Sequence, residues 1–291
     1  MTEPVRMILD TDLGDDVDDA FALAQAVLHP GIDLVGITAC YGDTTFRARL
    51  IDGLLAALGA TGIPVLVGPE TRFTDGSAVE TNWFSGEGFA PDATGDYGDA
   101  VDFLLETVMG SPGEITVCAV GPLTSVATAM DREPGFTKAM KLLVIMGGTI
   151  PPGEEDLDYN FYSDPGAAVR VVNSDASIRL GSVQVTRQAR FEQAHRDRVL
   201  ASGIELAELL MAMFDRYIER CERDWTPLYD PATLGTVYDE SFVKMRRRAL
   251  RAERYGKSVR LSEEGGEAEV IEELDGAGFI DHLTELLRTV R

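Results

Sequence analysis

Basic side chains are scarce in this chain. Lys and Arg number 26 against 49 Asp and Glu, a formal net charge of -23. Binding a phosphate backbone needs clustered Lys and Arg, so this balance argues against a nucleic-acid partner. It favours solubility by self-repulsion and leaves many carboxylates for a divalent cation. Cysteine is sparse too. Cys40, Cys118 and Cys221 are odd in number and far apart, which points to reduced thiols in a reducing compartment rather than a disulfide framework. Only three histidines occur, His29, His195 and His282. No apolar run approaches the roughly 20 residues of a membrane span. Met1–Arg6 lacks the apolar core of a signal peptide, and a cytoplasmic protein is expected.

What is present suffices for a sizeable core: 45% of the 291 residues are hydrophobic. The first two-thirds alternates strand-like and helix-like segments. Val5–Leu9, Asp33–Thr38, Pro64–Val67, Glu114–Val120, Lys141–Ile145 and Ile178–Leu180 read as strands. Ala20–Leu28, Thr45–Leu58, Asp99–Met109, Leu123–Met130 and Pro165–Val172 read as helices between them. Such alternation predicts an α/β fold with an open, mostly parallel, Rossmann-like sheet and helices on both faces. Residues 68–97 form a long Gly-, Thr- and Asp-rich stretch, and a loop of that length is usually functional or mobile. The tail differs. Phe191–Asp224 reads as mostly helical. Phe242–Leu250, Ser258–Leu261 and Glu267–Glu272 read as strands with a turn at Gly265-Gly266, and Gly278–Val290 as a closing helix. We expect one domain, 1–291, with a C-terminal helical and hairpin elaboration.

The most informative segment is Asp10-Thr11-Asp12-Leu13-Gly14-Asp15-Asp16-Val17-Asp18-Asp19-Ala20. It follows an apolar strand and opens a helix. Carboxylates packed this tightly repel one another, and a hard cation with oxygen ligands offsets the repulsion. A bland alternative is a solvated acidic turn in which Asp18 or Asp19 caps the helix. An EF-hand does not fit, because its glycine belongs at loop position six and its bidentate Glu at twelve. Counted from Asp10 those positions are Asp15 and Phe21. An aspartyl-phosphate phosphatase also begins with Asp-x-Asp after a strand, and would use Asp10 as nucleophile.

The segment resembles the Asp-x-Asp-x-Gly-x-Asp-Asp-Ala signature of the inosine–uridine nucleoside hydrolase family, with two extra residues before the final Asp-Asp-Ala. Further matches follow in order over residues 6–235. They are Gly42-Asp43, Gly62-Ile63-Pro64-Val65 with Gly68, Val120-Gly121-Pro122-Leu123-Thr124, Val144-Ile145-Met146-Gly147-Gly148, Asp158-Tyr159-Asn160 with Asp164-Pro165, and Asp230-Pro231. Asp10/Asp12, Gly42/Asp43, Val120/Gly121 and Met146/Gly147 also follow the carboxyl ends of predicted strands, the edge of an open parallel sheet where ligands bind.

The resemblance implies calcium-dependent hydrolysis of a ribonucleoside, or a related N-riboside, at the N-glycosidic bond. Asp12, Asp19, Asp230 and the Val120 carbonyl would hold calcium. Asp12 would also take a proton from water. Asp18 and Asn160 would hold ribose hydroxyls, Asp158 would lie near the 5′ end, and Asp43 and Met146 would complete the substrate site. The insertion leaves Asp15 and Asp16 as alternatives to Asp18 and Asp19. The resemblance suggests a homodimer or homotetramer. Leaving-group activation departs from the pattern. Tyr229 stands where many members have His before the late Asp-Pro, and Ser85-Gly86 where others have His-Gly. The three histidines read as structural or surface residues. Tyr229 would then stack on the base or donate a proton, with Trp83, Phe84 and Phe89 as further aromatic candidates. A calcium-dependent nucleoside or ribose binder without turnover is the non-enzyme alternative.

Overall fold

The computed structural model describes residues 3–79, 81, 85–91, 95–150, 158–256 and 258–289. Its strands are β1 (Val5–Thr11), β2 (Ile32–Ala39), β3 (Val65–Val67), β4 (Gly98–Asp99), β5 (Thr116–Ala119), β6 (Leu142–Met146), β7 (Ile178–Gly181), β8 (Arg190–Glu192), β9 (Trp225–Pro227), β10 (Val243–Tyr255) and β11 (Ser258–Leu274). Its helices are α1 (Asp18–Leu28), α2 (Thr44–Ala57), α3 (Ala100–Gly110), α4 (Thr124–Arg132), α5 (Phe136–Ala139), α6 (Tyr159–Ser163), α7 (Pro165–Val172), α8 (Val183–Thr186), α9 (Gln193–Leu200), α10 (Glu205–Arg220), α11 (Tyr229–Gly235) and α12 (Gly276–Leu287).

Nine strands form one sheet in the order β10-β11-β7-β6-β5-β1-β2-β3-β4. Every neighbouring pair is parallel except β10–β11. Strand periodicity explains how both faces are covered. Met7 and Leu9 join one apolar cluster while Ile8, between them, joins the other. Val144 and Met146 alternate with Leu143 and Ile145 in the same way. Successive side chains of a strand point to opposite faces, so each central strand feeds two cores. Helices α1, α2 and α9–α12 cover one face, and α3, α4 and α7 the other.

Chain order runs outward from β1 through β2, β3 and β4, then returns to β5 on the other side of β1. The reversal leaves a crevice beyond the carboxyl ends of β1 and β5, where open α/β sheets bind ligands.

The α/β reading holds, and the core elements lie within a residue or two of their predicted limits. Three differences have clear causes. The tail holds two long strands, not three short ones. Gly265 sits at φ 126 and makes a bulge: Leu250 pairs with Gly266 but Arg251 with Ser262. A Cβ on Gly265 would lie 2.5 Å from the Leu250 carbonyl oxygen, so the Gly-Gly pair marks a bulge inside a strand rather than a turn. The stretch read as mostly helical starts with β8, which pairs antiparallel with β9. Such three-residue pairs carry too little periodicity to be seen beforehand. Finally, neither Asp18 nor Asp19 is the N-cap of α1. Val17 holds that position, without a side-chain cap bond.

All three cysteines are free thiols. Among the described residues no helix is long and apolar enough to cross a membrane.

Candidate active site

At the end of β1 the chain turns through Leu13–Val17 and enters α1. Buried backbone here needs partners. Arg47, three residues into α2 and fully buried, supplies several. Its guanidinium donates to the carbonyls of Asp12, Leu13 and Tyr41, the last at 2.6 Å, and to the Asp15 carboxylate at 3.1 Å. The loop after β3 clamps the other side. Ser85 and Gly86 donate their N–H groups to the Gly14 carbonyl, and the Ser85 hydroxyl donates to the Asp16 carbonyl. A Cβ on Gly86 would lie 2.8 Å from the Gly14 Cα, so this crossing excludes a side chain. Ser85-Gly86 therefore does lie against the aspartate loop.

The loop and helix start hold Asp12, Asp18 and Asp19, all buried. The Asp19 carboxylate accepts from the Thr11 hydroxyl at 2.5 Å, and that of Asp18 accepts from the Asp230 N–H at 3.2 Å. Asp230 arrives from α11, over 200 residues away in sequence. Carboxylate oxygens of Asp18, Asp19 and Asp230 lie within 4.8 Å of one another. Burial first, then mutual repulsion, holds these three and Asp12 well above the usual carboxylate range. Arg47 opposes that shift at Asp12 and Asp19. A buried like-charged cluster of this kind calls for a cation or for protons. All-oxygen donors suit a hard divalent ion, so the residues fit a metal.

A cavity of about 330 Å³ opens over the cluster. Val120, Met146, Asp158 and Asn160 join its wall. They come from the ends of β5 and β6 and the start of α6. The Asn160 amide donates to the carbonyls of Val120 at 2.6 Å and Met146 at 3.2 Å. One lone pair of the Val120 oxygen stays open, since a carbonyl accepts two bonds. Asp158 caps α6 through the Phe161 N–H, and burial pushes its carboxyl up to about 6. The close packing reaches Gly121, where a Cβ would lie 2.6 Å from an Asp12 oxygen.

Asp12, Asp18, Asp19, Val120, Met146, Asp158, Asn160, Tyr229 and Asp230 are thus brought to one cavity, as their positions in the sequence suggested. Asp43 is not. It is exposed, and its carboxylate accepts the Phe46 N–H as the N-cap of α2. The resemblance placed it in the substrate site, but the helix start uses it. Phe89 also lies off the cavity, with the Arg216 guanidinium 5.9 Å from its ring centre. Trp83 and Phe84 fall outside the described residues. The histidines stay away as expected: His29 stacks on Tyr238, near His282, and the His195 ring accepts the Glu192 N–H.

Asp15 is taken up by Arg47 and the Tyr159 hydroxyl, so Asp18 and Asp19, not the inserted pair, face Asp230. Asp10, the nucleophile of the phosphatase alternative, is fully buried, receives the Thr38 hydroxyl at 2.5 Å and does not line the cavity. Sequence reasoning passed over Arg47, Tyr159, Tyr217, Cys221 and Arg223. Each is an ordinary residue on a helix or its flank, with no local spacing to betray its place. Tyr229 stands at the first position of α11; burial and the negative charge of Asp18 push its hydroxyl up to about 12.

Residues 7–281 match the family described as inosine-uridine preferring nucleoside hydrolase. The chain is 31% identical over 253 residues to a probable uridine nucleosidase 2 of Arabidopsis thaliana, covering 80% of this chain and 77% of that one. It is 32% identical over 259 residues to the pyrimidine-specific ribonucleoside hydrolase RihB of Escherichia coli (strain SE11), covering 83% and 81%. The plant nucleoside hydrolase PpNRh1 superposes with a TM-score of 0.87 at 25% identity, over 98% of this chain and 99% of that one. A purine-preferring ribonucleoside hydrolase from Gardnerella vaginalis gives 0.86 at 21% identity, over 97% and 98%.

Proposed function

The chain belongs to the inosine–uridine preferring nucleoside hydrolase family and hydrolyses the N-glycosidic bond of ribonucleosides, and on that premise we propose that the aspartate cavity is a calcium and ribose site. Asp12, Asp19, Asp230 and the Val120 carbonyl would hold the ion. When bound, calcium supplies charge that lowers the pKa of a neighbouring water and holds a vicinal diol. The meeting of Asp18, Asp19 and Asp230 oxygens within 4.8 Å carries this reading, because among the described residues no Lys, Arg or His reaches all three.

The chain's own residues then have distinct tasks. Asp18 and Asn160 receive the ribose hydroxyls, and Asp158 the 5′ hydroxyl. Met146 packs beneath the sugar. Asp12 takes the proton of the attacking water as it approaches C1′. Positive charge growing on the ribose is stabilised by the surrounding carboxylates. Tyr229 borders the base. Relatives named for uridine and pyrimidines favour a pyrimidine nucleoside, although the solved structures include a purine-preferring one. Three reduced thiols accord with a cytoplasmic setting, and the family resemblance supports a homodimer or homotetramer.

The test is release of reducing sugar from a panel of uridine, cytidine, inosine and guanosine, with calcium and with EDTA. We expect turnover only with calcium, and a higher melting temperature when the ion is added, by linkage. Equal rates and equal melting with EDTA would reject the metal site.

A further inference from the structure

The described lining of the cavity contains a single cation. Seven aspartates line the cavity, and among the described residues the only Lys, Arg or His in that lining is Arg223, since Arg47 reaches Asp15 from outside it. Residues 82–84 and 151–157 contain no Lys, Arg or His either. The Arg223 side chain has no hydrogen bond or ion pair with any described residue. Its charge nevertheless acts on Asp16, Tyr217 and Tyr229 around it.

The backbone fixes where this arginine leaves α10. Glu222 adopts φ 52, a left-handed conformation uncommon outside glycine. Its N–H donates to the Glu219 carbonyl at 3.2 Å, and the Arg223 N–H donates to that of Ile218 at 2.9 Å. This double bond pattern is a Schellman ending. It turns the chain at residue 222 and brings Arg223, beside Cys221 and Tyr229, to the cavity.

Resting on the nucleoside-hydrolase reading, we propose that Arg223 is a catalytic residue that stabilises the departing base as an anion. As the C1′–N bond breaks, its electron pair goes to the base. The water oxygen bonds to C1′, and the water's proton passes to Asp12. Guanidinium N–H groups of Arg223 donate to a base carbonyl, where the negative charge spreads. Arg223 keeps its own protons. The free base takes its proton from solvent, and Asp12 returns its proton to solvent.

A leaving-group comparison tests this in the full chain with calcium present. Uridine needs help to expel its base; 4-nitrophenyl β-D-ribofuranoside expels a stabilised phenolate. We expect Arg223→Ala to lower kcat on uridine about 10²-fold and on the aryl riboside by no more than about threefold. Arg223→Lys should recover part of the uridine loss, because it restores charge without the planar fork. Melting should match the parent, since residue 223 is exposed. Equal losses on both substrates, or no loss on uridine, would overturn the assignment. A parent protein that releases ribose from neither would overturn the hydrolase reading beneath it.

Discussion

The aspartate cavity and the β10–β11 hairpin both gather many charged side chains, and they use charge in opposite ways. On the hairpin, acids and bases face one another across the strands. Lys244 meets Glu273, and Arg248 meets Glu263 and Glu272. These pairs reach solvent, so each is worth about 0–1 kcal/mol. In the cavity the buried charges are carboxylates, with Arg47 as their close internal counterpart and exposed Arg223 in the lining. Exposed opposite charges need nothing further. Buried like charges are costly until a ligand arrives, and that cost is a signature of function.

The largest expected effect breaks the cavity side of this contrast. On the proposed reading, Asp12→Ala removes both a cation ligand and the proton acceptor. Turnover of the best panel nucleoside should fall by at least about 10³-fold, and the calcium-induced rise in melting temperature should shrink. A variant with parental rates would leave the buried cluster without a catalytic purpose.

How much of this was legible in the sequence depends on the range of the signal. Asp12, Asp18 and Asp19 sit in one segment, where crowding of carboxylates after a strand is visible by itself. Asp230 comes from the far end of the chain and was reachable only because its Asp-Pro resembles a family motif. The parallel sheet was legible because apolar strands and amphipathic helices alternate with distinct periods. Arg47 was not, because what matters about it is a tertiary fact: its helix delivers a guanidinium to carbonyls more than 30 residues away. Asp43 was misplaced for the converse reason. A carboxylate just before a helix serves equally as cap or ligand, and only the fold decides. Gly265 misled because glycine marks bulges as well as turns.

A second effect sharpens the cavity side through pH. Burial raises the Asp158 carboxyl from 3.8 to about 6. The native state therefore binds a proton more tightly than the unfolded chain does. Its contribution to stability is full below about pH 4 and is lost as pH rises through about 6, by on the order of 3 kcal/mol. Asparagine also caps helices, so Asp158→Asn should keep α6 while flattening that slope. Thermal unfolding of calcium-free parent and variant at pH 4, 5, 6 and 7 measures it. Parallel curves would remove Asp158 as the titrating group.

The smallest expected effect belongs to the hairpin. Glu272 takes Arg248, with Arg246 nearby at 3.9 Å, and its side chain keeps 29% exposure. Glu272→Gln should cost less than about 1 kcal/mol in urea unfolding. Part of that loss should vanish in 1 M salt, where screening reaches about 3 Å. Nucleoside turnover should be unaffected, because the side chain lies outside the cavity lining. A loss well above 2 kcal/mol that salt does not soften would mean the hairpin's charges act as a buried network. The contrast between the two regions would then be one of sign alone, and solvent exposure would no longer explain why one of them calls for a cation.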